Sequence, residues 1–183
     1  MIKDKKELKR YLEADKKALK KMYNHPRVFG DEEWKYEICL RKYEYYYNTK
    51  SNKIMYAWYK WLHHRLGMKY SFSIPANVFG AGLRINHICG GIIINPNCKI
   101  GDWCDIHQGV NIGQSIDGKC PEIGSNVYIG PGAKIFGNIC IADDVMIGAN
   151  AVVTKSIYEK GAVVGGVPAK LISVNEKNPL HRE

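Results

Sequence analysis

From Ile88 onward an aliphatic side chain returns every six residues. Ile88, Ile94, Ile100, Ile106 and Ile112 keep one phase, and after a break Ile123, Ile129, Ile135, Ile141, Ile147 and Val153 resume it. Glycine follows the aliphatic at 101, 113, 124, 130 and 148. A small or β-branched residue stands two positions ahead of it at Cys98, Cys104, Val110, Val127, Ala133, Val145 and Ala151. Neither a helix nor an alternating strand has this period. A six-residue repeat predicts a parallel β-helix. Each hexad is one short strand and a turn, its two inward positions fill a narrow core, and glycine eases the corner.

Before the repeat the pattern is helical. Leu8, Tyr11, Leu12, Ala18, Leu19 and Met22 predict a helix over 3–23, stopped by Asn24-His25-Pro26. Asp31 is placed to cap a second helix, with Trp34, Ile38, Leu40, Tyr43 and Tyr47 on its apolar side. Ser51 is placed to cap a third, through Ile54, Met55, Trp58, Trp61 and Leu62 to Leu66-Gly67. The many aromatics of these last two helices, Tyr43, Tyr45, Tyr46, Tyr47, Tyr56, Trp58, Tyr59 and Trp61, are expected to pack between helices or on a neighbouring subunit, with a lipid headgroup surface or sugar rings as further contacts. The expected fold is mainly β: a helical N-terminal domain over 1–70, a β-helix over 71–173 and a polar tail over 174–183. The break at 114–122, Gln-Ser-Ile-Asp-Gly-Lys-Cys-Pro-Glu, inserts about five residues and reads as a protruding loop.

Composition narrows the classes. The 183 residues are 45% hydrophobic and 25% charged, an ordinary globular balance. No apolar run approaches the roughly 18 residues that span a membrane, and no apolar segment follows the N-terminal charges, so a cytoplasmic protein with reduced thiols is expected. The six Cys lack zinc spacing, and Cys98 and Cys104 read as core residues; no metal is expected. The net charge of +9 is concentrated before residue 70. No recognition helix, finger or RNA-binding motif accompanies it, so no nucleic-acid partner is expected. The charge reads as a solvated helical face, with an anionic membrane, at its inner face, or an anionic glycan as alternatives.

Four motifs carry a resemblance: Ile85-Asn86-His87, Ile129-Gly130-Pro131-Gly132-Ala133-Lys134-Ile135, Ile147-Gly148-Ala149-Asn150-Ala151-Val152-Val153-Thr154-Lys155, and Gly165-Gly166-Val167-Pro168-Ala169-Lys170. The stretch 73–172 resembles the hexapeptide-repeat acyltransferases, and within them the serine acetyltransferase branch. The resemblance implies a left-handed helix, a homotrimer or dimer of trimers with sites between subunits, and acetyl-CoA as donor. It makes His87 the base for O-acetylation, a task that suits an imidazole of ordinary pKa about 6.5; a solvated corner histidine is the plain alternative. The family usually carries Asp just before this His, where Asn86 stands, and a second Asp that aligns near Phe72. Three hexads make an eighteen-residue coil, so Asp105 is expected over His87, where its carboxylate would orient the ring. By the same count Cys89 falls near His107, a second candidate base. The resemblance also implies donor contacts at Gly132, Ala133, Ala149 and Thr154, with Lys155 and Lys170 facing the CoA phosphates. Pro131 supplies no N–H.

The acceptor is read from the loop. Serine acetyltransferases carry an Arg-His pair before its Pro, where this chain has Lys119-Cys120-Pro121. Lys119, Cys120 and His107 are the candidate acceptor contacts. The Cys-Pro step and the segment from His107 to Gly113 resemble polysaccharide acetyltransferases. A sugar hydroxyl in capsular or exopolysaccharide biosynthesis is therefore the expected acceptor, serine the alternative, and a non-catalytic scaffold a further one.

Overall fold

The computed structural model describes residues 1–175. Among these residues three helices precede fourteen short strands. α1 (Lys5–Ala18) opens with a reciprocal cap: the Asp4 carboxylate accepts the Glu7 N–H at 2.8 Å, and Glu7 accepts the Lys3 N–H at 2.8 Å. The helix stops short of the expected residue 23. Lys20 takes a φ of 56°, and Met22 turns into solvent.

α2 (Glu32–Thr49) follows Asp31, which does not cap it. With a φ of 56°, Asp31 turns its carboxylate back to Lys21 Nζ (2.5 Å), Tyr23 Oη (2.6 Å) and the Arg27 N–H (3.0 Å). These bonds fold down the loop 20–30 and hold that carboxyl well below the usual range, the Arg27 guanidinium foremost. α3 (Lys53–Tyr70) is capped by Asn52, not the expected Ser51; its side chain accepts the N–H groups of Ile54 and Met55.

The strands form three parallel stacks. One carries β1 (Phe72–Ser73), β3 (Ile92–Ile94), β6 (Val110–Gly113), β9 (Lys134–Phe136) and β12 (Val152–Val153). A second carries β4 (Lys99–Ile100), β7 (Glu122–Ile123) and β10 (Cys140–Ile141). The third carries β2 (Arg84–Ile85), β5 (Asp105–Ile106), β8 (Tyr128–Ile129), β11 (Met146–Ile147) and β13 (Ala162–Gly165). β14 (Lys170–Val174) folds back antiparallel on β13, so the chain leaves the coil before residue 173; the rest of the expected tail, 176–183, lies outside the described residues.

Together the stacks make a parallel β-helix. The inward Ile positions from Ile94 to Val153 are buried, as are Cys98 and Cys104 in the small slots. Each fully buried aliphatic contributes about 1.5–3 kcal/mol, so the repeat supplies the core.

The coil length is not uniform. Ile112 pairs with Ile94 and Ile147 with Ile129, eighteen residues on. Ile129 pairs with Ile106, twenty-three on, because the 114–122 loop intervenes. Ile106 pairs with Ile85, twenty-one on. The additional three residues lie in the turn 86–91. Ile85 therefore fills the inward slot, and Ile88 is only half-buried, outside the expected phase.

The first coil has no coil beneath it, and its backbone groups need other partners. Buried side chains of α1 and α2 supply them. Asp15 accepts the N–H groups of Gly82 (2.8 Å) and Leu83 (2.9 Å), Glu37 that of Ile85 (2.9 Å), and Glu44 that of Asn77 (2.7 Å). Arg41, fully buried, donates to the carbonyls of Phe79 (3.1 Å) and Gly80 (2.5 Å). It also pairs with Asp15 (2.7 Å) and Glu44 (3.0 Å). Burial opposes the Arg41 charge, but these two carboxylates hold it protonated. Burial pushes the Glu37 carboxyl well up, and the Asp15 charge adds to this. Tyr36 and Leu40 of α2 close the end of the core itself.

Replacing Arg41 with Met should cost about 3–5 kcal/mol, because two buried carboxylates lose their counter-charge. Urea unfolding of the variant checks this; a loss below 1 kcal/mol contradicts the capping role.

A second test concerns His63 on α3. Its Nε2 lies 3.1 Å from Tyr36 Oη, and burial lowers its pKa to about 4. The unfolded chain binds this proton near pH 6.5 and the folded chain does not until about pH 4. Stability should therefore fall as pH drops through that window, by about 1.4 kcal/mol per unit, and level off below it. Urea midpoints at pH 7 and 5 should converge in His63→Gln relative to the unmodified chain.

Candidate active site

The three stacks meet at three edges, and the expected site residues divide between two of them. The edge after β2, β5, β8 and β11 carries, coil by coil, His87, His107, Gly132 and Ala149. Its turns are bonded to one another through backbone: Gly109 N–H to Gly91 O (2.6 Å), Gly132 N–H to Gln108 O (2.9 Å) and Asn150 N–H to Pro131 O (2.8 Å). The edge after β6, β9 and β12 carries the 114–122 loop with Lys119 and Cys120, and above it Thr154 and Lys155. Within one chain, then, the histidines and the loop lie on different edges of the prism.

At the first edge the imidazole of His87 is exposed, and its ring centroid lies 5.8 Å from that of His107. His107 packs edge-on against Tyr128 at 5.1 Å. The expected pairing of Asp105 with His87 is not formed. Because the coil is twenty-one residues long here, Asp105 is in register with Arg84. Its carboxylate bonds Arg84 Nη1 at 3.0 Å and the Asn86 side-chain amide, and it reaches His107 Nε2 at 3.8 Å. Burial raises the Asp105 carboxyl against the pull of Arg84 and Asn86. Burial also lowers the pKa of His107, against the pull of the Asp105 carboxyl.

Asn86, expected beside the base, commits its amide to Asp105. Phe72, where the family's upstream acid would align, is in the core. Arg84 and Tyr128 belong to the same cluster, in register with Asp105 on either side. The sequence reading left them out because their place depends on the long coils. Two neighbouring polar atoms, His107 Nδ1 and Gln108 Oε1, are buried there with no hydrogen-bond partner among the described residues.

The expected donor residues are distributed as follows. Gly132 has a φ of 72°, the left-handed region that favours glycine, and a Cβ there would displace the Asn150 side chain. Its N–H is taken by Gln108, which removes it as a ligand donor. Ala133 is fully buried, so its side chain serves the core and does not face a ligand. Ala149 is exposed at the edge. Thr154, Lys155 and Lys170 line one groove of about 380 Å³, with Tyr158, Pro168 and Leu171. Lys119 is exposed, whereas Cys120 turns its side chain toward the core beside Cys98.

Residues 121–155 match the family model described as bacterial transferase hexapeptide (six repeats). Over 108 residues the chain is 42% identical to the serine acetyltransferase of Mycobacterium tuberculosis, a match covering 57% of this chain and 46% of that protein. The chain thus spans about half the length of the curated relatives it matches. Among solved structures it is similar to the Neisseria gonorrhoeae serine acetyltransferase in complex with serine, with a TM-score of 0.72 and 26% identity over 92% of this chain and 70% of that one. A serine acetyltransferase in complex with CoA gives a TM-score of 0.72 and 25% identity, with the same coverage. These relatives overturn the polysaccharide acceptor expected from the Cys-Pro step. That dipeptide lies in a loop whose sequence says little about what the loop holds. In its coils, their period and the matched repeats the chain is similar to the hexapeptide-repeat transferases.

Proposed function

We propose that the chain transfers an acetyl group from acetyl-CoA to the hydroxyl of L-serine. The carrying observation is the exposed His87 beside two buried, unpartnered polar atoms, His107 Nδ1 and Gln108 Oε1. An unmet buried polar group costs about 1–3 kcal/mol, which marks this edge as one where a polar partner is wanted. The likeness to serine acetyltransferases names that partner.

His87 acts as the base. It takes the hydroxyl proton as the serine oxygen attacks the thioester carbonyl, and returns it to the departing thiolate. Asn86 and Asp105 brace the strand that carries it, and His107 lines the acceptor side. CoA lies along the edge past Ala149, with its phosphates toward Lys155 and Lys170 of a neighbouring copy, because within one chain that groove belongs to the loop's edge. Because His87 and the Lys119 loop lie on different edges of one chain, a complete site needs the loop of a neighbouring copy, which supports a trimer. Lys119 then offers the serine carboxylate a point charge in place of the family's Arg.

Thiol release from acetyl-CoA with L-serine should proceed with kcat/KM at or above about 10⁴ M⁻¹s⁻¹. CoA binding without serine-dependent release would sink the proposal. His87→Ala should lower kcat by about 10²–10⁴ while the Kd for CoA stays within about twofold. Full activity in that variant, with loss in His107→Gln, would transfer the base to His107.

A further inference from the structure

The outward face of α3 is apolar and has no partner among the described residues. Ile54 is 80% exposed, Trp58 and Trp61 52% each, and Met68 71%. At helical spacing these four fall on one stripe. The two indoles lie side by side, with ring centroids 5.2 Å apart. Within α3 itself the charge has one sign, the nearest acid being Glu32 of α2 beside Lys69. α3 contains no Asp or Glu, while Lys53, Lys60, Arg65 and Lys69 are all exposed on it. Arg65 falls within the stripe, and the three lysines flank it.

We propose that this face docks on the headgroup layer of an anionic lipid bilayer. Indole rings favour the membrane–water boundary, where an apolar body and a polar N–H are both accommodated. Lysine and arginine stems lie along apolar surface while their heads reach phosphate. A helix that lies in the plane of the interface combines an apolar stripe of this kind with a cationic margin. The other simple occupant is the same face of a second copy. It would bring four cations against four with no acid from either helix, and like charges so placed repel. No helix among the described residues is long and apolar enough to cross a membrane, so the contact is peripheral.

Sedimentation of the whole chain with vesicles tests this. One set is phosphatidylcholine alone, and the other contains phosphatidylglycerol at about three parts in ten. Binding to the anionic set should exceed binding to the neutral set at least tenfold and weaken as salt is raised. The exposed double variant Trp58→Ala/Trp61→Ala should lose at least tenfold in anionic-vesicle binding. Lys53→Glu/Lys60→Glu should do the same. Both should keep the circular dichroism and urea midpoint of the unmodified chain. Equal binding to both vesicle sets, or anionic binding that neither variant alters, would overturn the proposal. So would a lipid-free molecular mass, by light scattering, that falls in the tryptophan variant, because the stripe would then be an interface between copies.

Discussion

A β-helix is open at both ends, and closing the first end is the constraint on which this structure rests. Every inner coil has its N–H and C=O groups matched by the coils above and below. The first has nothing beneath it, and unpaired backbone under a helical layer would be costly. The solution is a layer of ionisable side chains, Asp15, Glu37 and Glu44 for the N–H groups and Arg41 for the carbonyls. Arg41 also balances Asp15 and Glu44, which lets these three groups remain buried. The helices are thus bonded to residues 77–85, only a few positions ahead of His87. Helical layer and candidate site share one backbone segment.

Much of the fold was legible in the sequence because the constraint on the core is periodic. An inward position must be aliphatic, and the chain returns to it every six residues. The exceptions lie where the period is broken. Three additional residues in the turn 86–91 moved the inward slot from Ile88 to Ile85 and the carboxylate of Asp105 from His87 to Arg84. Coil arithmetic holds only between insertions. Buried charge was illegible for a different reason. Asp15, Glu37 and Arg41 sit among many other Lys, Arg and Glu residues on helices, and nothing in their spacing sets them apart from a solvated face. Only the coil above them gives them a role.

The site shows the same division. His87 was found through a motif, and its surroundings were not. Arg84, Asp105 and Tyr128 come from three successive coils and meet through parallel register. Lys119 and Cys120 stand close to His107 along the chain, yet the prism places them on another edge. Cys120 looks like a loop side chain in the sequence but packs beside Cys98 in the core. A loop dipeptide therefore carried less weight than the repeats around it when the acceptor was inferred.

The far end of the coil is closed differently, by β14 turning back antiparallel along β13. The two ends have unlike chemistry, a charged helical layer below and a reversed strand above. Among the described residues β14 occupies the edge of β13 on which a further parallel strand could pair, and the helical layer covers the first coil, which disfavours end-to-end addition. In descent this makes the solenoid extensible only from within. A whole coil gained or lost between the two closures preserves register, as the loop at 114–122 does by leaving the stack at a corner. Any change that removes either closure exposes a growing end.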